Sequence, residues 1–448
     1  MELLESILND ISGILWGWPL IILLFGTHIF LTFRLRFIQR YMGTAISLSF
    51  NRKYEGIGEI SHFGALMTAL AATVGTGNIV GVGTAIALGG PGAVLWMWLT
   101  GVFGIATKYA EAVLAVKYRQ ISADGGVCGG PMYSLEHGLG TRWLGIVFAF
   151  FTAIAAFGIG NMVQANSIAQ LMAKTFSVPN WVTGVILAGL TSFVILGGVR
   201  SIARVCEKLV PIMVALYVAG CIVLLCIGFR TIPDSIVLIV TTAFTGQAAM
   251  GGFVGSALKE VIRYGVARGL FSNESGLGSA PIVAAAATTS NPVRQALVSS
   301  TGTFWDTVVV CLITGLVIVN SGHWTEGLPG ADLTHAAFRG GLGVMGPSIL
   351  TFGLLTFVYS TILGWSYYGE KAIEYLFGPG SIKPYRWLWV CAVMVGSTLS
   401  LNAVWTFADI ANGLMAIPNL ISLLALNHVV IAETQKFLWT PGRLDSAG

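Results

Sequence analysis

The sequence predicts an all-α integral membrane protein, and two observations carry that reading. Hydrophobic residues make up 55% of the 448 and charged residues only 10%, against about 25% charged in a soluble domain. Apolar runs long enough to cross a hydrocarbon core of about 30 Å recur along the whole chain, and the mean hydropathy is +0.79. The six cysteines form no CxxC and no cysteine–histidine cluster, so neither a disulfide framework nor a metal site is expected.

Hydropathy places eleven transmembrane helices, at 11–33, 60–88, 91–118, 142–172, 180–198, 207–229, 235–264, 295–319, 345–369, 385–406 and 410–432. The first is a span rather than a signal peptide. Glu2, Glu5 and Asp10 stand where a signal would be basic, and no small-residue cleavage site follows. With the N-terminus outside and the C-terminus cytoplasmic, only Lys174, Arg230 and Arg339 of the 24 lysines and arginines face outward. So strong a bias sets the orientation in the plasma membrane, and it accounts for the net charge of +4 without a nucleic-acid partner. Counting LFSNESGLGSAPIVAAAAT (270–288) as a twelfth span would reverse every later helix, so it is assigned to the cytoplasmic face as a half-helix.

Setting the first helix (1–33) aside leaves two units of five spans, 60–230 and 234–432, followed by a cytoplasmic tail at 433–448. An odd number of spans per unit inserts the two units with opposite polarity, the geometry of inverted-repeat secondary transporters. The leading span of the first unit is interrupted by GTGN (75–78) and that of the second by TGQAAMGG (245–252). Paired Gly-interrupted spans mark a transport site in such proteins.

The glycines of TVGTGNIVGVG (73–83) match neither GxGxxG nor a Walker loop, so phosphate binding is excluded. Gly77 and Gly81 also form a small-xxx-small pair, for which close helix packing is an equally good explanation. Thr73, Thr76 and Asn78 favour a cavity lining, because a broken helix offers amide N–H groups on one side and carbonyls on the other. Such a break holds both ends of an amino acid. No lysine or arginine is expected at mid-depth, which favours a small zwitterion over a dianion.

Gln164 in the fourth span is either a substrate contact or an interhelical hydrogen bond, with Asn161 one turn away. Ser360 and Thr361 offer hydroxyls to an ion, against the commoner habit of bonding back to their own helix. Phe157, Met250 and Trp365 are candidates to bound the pocket. Asp306, about 16 Å into its span, is the most conspicuous acid. Its alternatives are a Na⁺ ligand, a proton carrier or half of a structural pair. Lys108 and Glu111, three residues apart near a helix end, read as a local ion pair or as snorkelling side chains, and His28 and His428 as structural. No nucleophile and base pair, paired acids or metal cluster suggests an enzyme.

GGPGAVLWMWLTGVFG (89–104), ATVGTGNIVGVGTAIALGG (72–90) and NESGLGSAPIVAAAA (273–287) resemble the recurrent blocks of the alanine or glycine:cation symporter family, over essentially the whole chain. The resemblance implies a LeuT-like core of five plus five inverted helices and Na⁺-coupled, less often H⁺-coupled, uptake of alanine or glycine. It puts substrate near Thr76, Gly77, Asn78, Gln164, Gln247 and Trp365. It also puts sodium among backbone oxygens near Thr73 and Gly75 and the hydroxyls of Ser360 and Thr361. Asp306 lies roughly where some relatives place a second sodium ligand. No organic cofactor is implied.

Overall fold

In an apolar solvent each backbone N–H and C=O must find its partner inside the protein, and helices do this within a single segment. The computed structural model, which describes residues 2–51, 56–122, 125–245, 254–399 and 402–444, is accordingly almost all helix. α1 (Asp10–Arg34) leads to α2 (His62–Thr73) and α3 (Gly77–Gly89), which meet at 53°. α4 (Ala93–Lys117), α5 (Arg142–Phe176), α6 (Asn180–Ile195), α7 (Gly198–Ile227) and α8 (Ile232–Thr245) follow. After residues 246–253 come α9 (Val254–Asn273), α10 (Pro281–Ala284) and α11 (Pro292–Asn320). α12 (Gly330–Leu342), α13 (Met345–Phe377), α14 (Ile382–Thr398) and α15 (Asn402–Ala425) complete the bundle.

Among the described residues seven helices are long and apolar enough to cross a membrane, or eight if α2 and α3 form one bent span. Of the other three expected spans, α6 is a shorter apolar helix, α14 has 17 residues, and the third is built differently from the expectation. The run at 235–264 is described as two helices, α8 and α9, on either side of residues 246–253. Ser235 on α8 donates to Asn320 at the end of α11. Ala243, near the other end of α8, packs against Gly92 at the start of α4. The start of α4 and the end of α11 lie side by side, since Val94 packs against Gly315. α8 therefore lies across one face of the bundle, and α9 is the helix that enters it.

α9 descends beside α4, with Gly265 against Ala93 and Gly269 against Thr100. It ends in the middle of the protein at Asn273. From there the chain continues through residues 274–280, one turn of α10 and an irregular stretch to Asn291. The expected half-helix at 270–288 thus lies at a second break, between α9 and α10. It is buried nearly throughout rather than lying on a face.

The far end of this segment is fastened twice. Residues 57 and 60 bridge to 289 and 287. The Arg119 guanidinium, in the loop after α4, donates to the carbonyls of Ala285, Ala287 and Thr289. Burial lowers the pKa of Arg119 from its ordinary value, yet a guanidinium stays charged and so keeps all its donors. A short hairpin, Gln120–Ile121 against Val127–Cys128, lies next to it.

Gly269 has no room for a side chain, because a Cβ there would come 2.1 Å from Thr100 Oγ1. Gly269→Val is expected to push α9 off α4 and to destabilise the protein by about 1–3 kcal/mol, the usual cost of overpacking. A lower melting temperature of the purified protein in detergent would register it.

Candidate functional site

The two breaks meet. A Cβ built on Gly77 would lie 3.3 Å from Cα of Ser272, the penultimate residue of α9. At the first break Val74 leaves the helix in an extended conformation, and the Gly75 N–H is taken by Asn78 Oδ1 at 2.9 Å. Asn78 Nδ2 donates to Asp306 Oδ1 at 2.7 Å and to the Asp306 carbonyl at 3.1 Å. Ser272 Oγ donates to Asp306 Oδ2 at 3.0 Å, as does Thr307 Oγ1 at 2.6 Å. Asp306 is fully buried and ties both breaks to α11. Of its three alternatives, the structural role is the one these bonds describe.

The second break turns through Glu274, Gly276 and Gly278, all with positive φ. The last two need glycine for that conformation. Glu111 Oε1 accepts the N–H groups of both Gly276 and Gly278 at 3.0 Å, and Nδ2 of Asn419 on α15 at 2.7 Å. The expected Lys108–Glu111 ion pair is therefore not formed. An unwound segment deep in the bundle presents bare amides, and the Glu111 carboxylate is the acceptor that satisfies them. Lys108 is 3% exposed, has no hydrogen-bond partner at Nζ among the described residues, and lines a small cavity with Thr73 and Asn273. A cation does lie close to the breaks, contrary to expectation.

Between the breaks is a cavity of about 20 Å³, room for about one water. Thr73, Gly75, Thr76 and Gly77 line it from the first break, Gln164 from α5, and Thr361 and Trp365 from α13. The structure brings these seven together. The structure adds Phe271, Glu274, Ile159 and Asn412. Glu274 accepts the Trp365 Nε1–H at 3.1 Å. Its signal in the sequence is an acid in a glycine-broken apolar run, but hydropathy places that run at a membrane face. Gln164 Oε1 and Asn412 Oδ1 are buried acceptors with no partner among the described residues.

Four expected residues stand off the cavity, and two more are not described. Asn78 and Asp306 lie behind it, joined to each other. Ser360 turns away and donates to the Ala71 and Phe357 carbonyls. Thr361 also donates to Phe357, but its Oγ1 lies 2.9 Å from where a Gly75 Cβ would be. Phe157 packs on Tyr385 and Trp389 instead. On a regular helix it would share a face with Gln164, seven residues on. The π turn at Gly158–Met162 inserts an extra residue and rotates the two apart. Gln247 and Met250 lie outside the described residues. His28 is structural, its Nδ1 paired with Thr107 at 2.8 Å.

Two glycine-broken helices enclosing a buried polar cavity define a membrane transporter. The chain matches the Sodium:alanine symporter family over residues 1–443 and belongs to it. It is 52% identical to the sodium/alanine symporter AgcS of Methanococcus maripaludis, over 96% of this chain and 97% of that one. It is 36% identical to the probable sodium/glutamine symporter GlnT of Bacillus subtilis, over 97% and 91% of the two chains. The fold is that of MhsT, solved in complex with L-phenylalanine, with a TM-score of 0.61 over 86% of this chain and 94% of that one at 16% identity. The fold is therefore LeuT-like.

Removing Glu111 leaves the Gly276 and Gly278 amides unpaired, while Asn419 Nδ2 keeps the Gly276 carbonyl. Glu111→Ala should cost about 1–3 kcal/mol for each amide left unpaired, while Glu111→Gln, which keeps an acceptor, should retain most of the stability. Comparing the two melting curves checks the assignment. At the first break, Gly77→Leu should abolish transport while the protein still purifies as a monodisperse species.

Proposed function

We propose that this protein is a Na⁺-coupled symporter of small neutral amino acids, alanine and glycine, working by alternating access. The observation that carries it is the cavity itself, where the amide end of α3 faces buried acceptors that have no partner among the described residues. The first N–H groups of a helix lack intrahelical partners and carry partial positive charge, which suits a carboxylate. Gln164 Oε1, Asn412 Oδ1 and the Glu274 carboxylate suit an ammonium group. Trp365, Phe271 and Ile159 bound the apolar side, and the cavity of about 20 Å³ must widen to admit an amino acid. Sodium is assigned to the backbone oxygens of Thr73 and Gly75 with Thr361 Oγ1. Ser360 joins them only if its hydroxyl turns from Ala71.

In this reading the protein has eleven spans in a five plus five inverted repeat behind the first helix, with the N-terminus outside and the C-terminus cytoplasmic. The units are those at 60–230 and 234–432. The second leading helix is α9 with its break at 274–280, and α8 is a surface helix before it. Substrate and ion occupy the joint between the breaks, and rocking one set of helices about it opens either side in turn. Moving one charge across 100 mV releases about 2.3 kcal/mol, which supports roughly 50-fold accumulation of a neutral substrate.

A proton-coupled symporter of the same fold is the second reading. Glu274 favours it, as an acid that faces the cavity. Asp306 does not, because its oxygens are engaged by Asn78, Ser272 and Thr307.

Uptake of labelled alanine into proteoliposomes, under an imposed Na⁺ gradient and then a proton gradient at matched voltage, separates the two. Accumulation is expected with Na⁺ alone. Thr361→Val should then raise the Na⁺ concentration for half-maximal uptake about tenfold, the loss of about 1.4 kcal/mol. Accumulation driven by protons, and lost in Glu274→Gln, would establish the second reading.

A further inference from the structure

The first helix is held less deeply than the core helices. Only 33% of the apolar stretch of α1 is buried in the protein, against 83% for α4. Ile22, Gly26, Phe30 and Phe33 follow one another at helical spacing and make one exposed stripe along it. At the Arg34 end the chain reverses through Arg36 and Phe37, both with left-handed φ (53° and 57°). The reversal sets the Phe37 ring edge-on to Phe33 at 5.2 Å, with the two residues 50% and 62% exposed. The apolar stripe thus ends among three exposed arginines, Arg34, Arg36 and Arg40.

The protein does not neutralise these charges. Arg34 Nη2 donates to Asn427 Oδ1 at 3.2 Å, Arg36 lies over the Trp439 ring at 4.4 Å, and Arg40 lies over the Tyr41 ring at 4.9 Å. Among the described residues none of the three meets a carboxylate. Glu433, an acid on the same terminal segment as Asn427 and Trp439, is taken by Lys117 at 2.7 Å. A guanidinium has five donors, so the contacts present orient the arginines and leave donors over. A phosphodiester matches such donors in pairs. A phospholipid joins that phosphate to acyl chains, which suit the stripe, whereas a free anion would match the arginines alone. In the orientation proposed above this end of α1 meets the cytoplasmic leaflet, which holds the anionic lipids.

We propose that the Arg34 end of α1 is a binding site for one anionic phospholipid, its phosphate on Arg34, Arg36 and Arg40 and an acyl chain along Phe33, Phe30 and Ile22. The site bears on transport through the opposite face of the same helix. Leu24 and His28 of α1 back the second break, where a Cβ on Gly276 would lie 2.7 Å from Leu24 and 3.5 Å from His28. A phosphate shared by the arginines removes the repulsion among three like charges and fixes α1 against the terminal segment. Leu24 and His28 then stay seated on the break.

Native mass spectrometry of the purified full-length protein, incubated with phosphatidylglycerol or with phosphatidylcholine, tests the site. Uptake of labelled alanine into vesicles of phosphatidylcholine, with and without phosphatidylglycerol, tests its effect. The wild type is expected to retain one phosphatidylglycerol and no phosphatidylcholine, and to transport faster when phosphatidylglycerol is present. Each of Arg34→Gln, Arg36→Gln and Arg40→Gln should weaken retention about fivefold, the attraction of one basic residue for an anionic lipid surface. The three combined should abolish retention and make uptake the same in both vesicles. Lysine at all three positions keeps the charge and should restore most of the retention, which guards against misfolding of the glutamine variants. Equal retention of the two lipids, or full retention in the triple glutamine variant, overturns the site. Displacement of the lipid by inorganic phosphate overturns it in favour of a free-anion site, and a dimer that buries the stripe makes a second copy the occupant. Equal uptake by the wild type in both vesicles, with the lipid retained, overturns the link to the second break. Retention is read without substrate, so failure of the transport reading leaves this test standing.

Discussion

Two buried carboxylates make the rest of this structure possible. A helix that unwinds deep in an apolar bundle strands polar backbone groups, and each one left unpaired there costs several kcal/mol. At the joint between the breaks Asn78 takes the stranded Gly75 amide, and Asp306 holds the Asn78 side chain while also accepting from the Ser272 hydroxyl. Glu111 meets it at the second break by accepting the amides of Gly276 and Gly278. With both carboxylates in place, two helices stop halfway without losing their position, and the space between their ends becomes a cavity with fixed walls.

The same carboxylates set the electrostatics. Glu111, Glu274 and Asp306 are all at most 5% exposed, and Lys108 is the buried cation near them. Lys108 touches none of the three as an ion pair, so its charge acts on the region as a field. An interior with more carboxylate than ammonium suits the arrival of a sodium ion and an amino acid's ammonium group. The close helix contacts follow from small residues, with Gly265 and Gly269 bringing α9 onto α4 and Gly77 bringing the two breaks together.

Much of the site is legible without the fold. The Gly75–Gly77 break, Thr361, Trp365 and Gln164 can be named because glycines and polar side chains are costly in a membrane helix and need a reason to be there. Asp306 is conspicuous for the same cause, but its partners are 228 and 34 residues away in sequence, and no spacing rule connects them. Phe157 is misplaced by the sequence because a π turn is invisible to a count of 3.6 residues per turn. The run at 235–264 is misread because hydropathy reports that a segment is apolar, not whether it crosses the bundle or lies across its end.

The sequence by itself determined the class of protein, the helical architecture and the first broken span, since each follows from composition and from local backbone cost. Tertiary structure alone decided which second break meets the first, which carboxylate holds which amide, and that Glu274 and Asn412 face the cavity. Those are choices among distant partners, made by packing and by the need to pair every buried polar group, and neither acts until the chain has closed on itself.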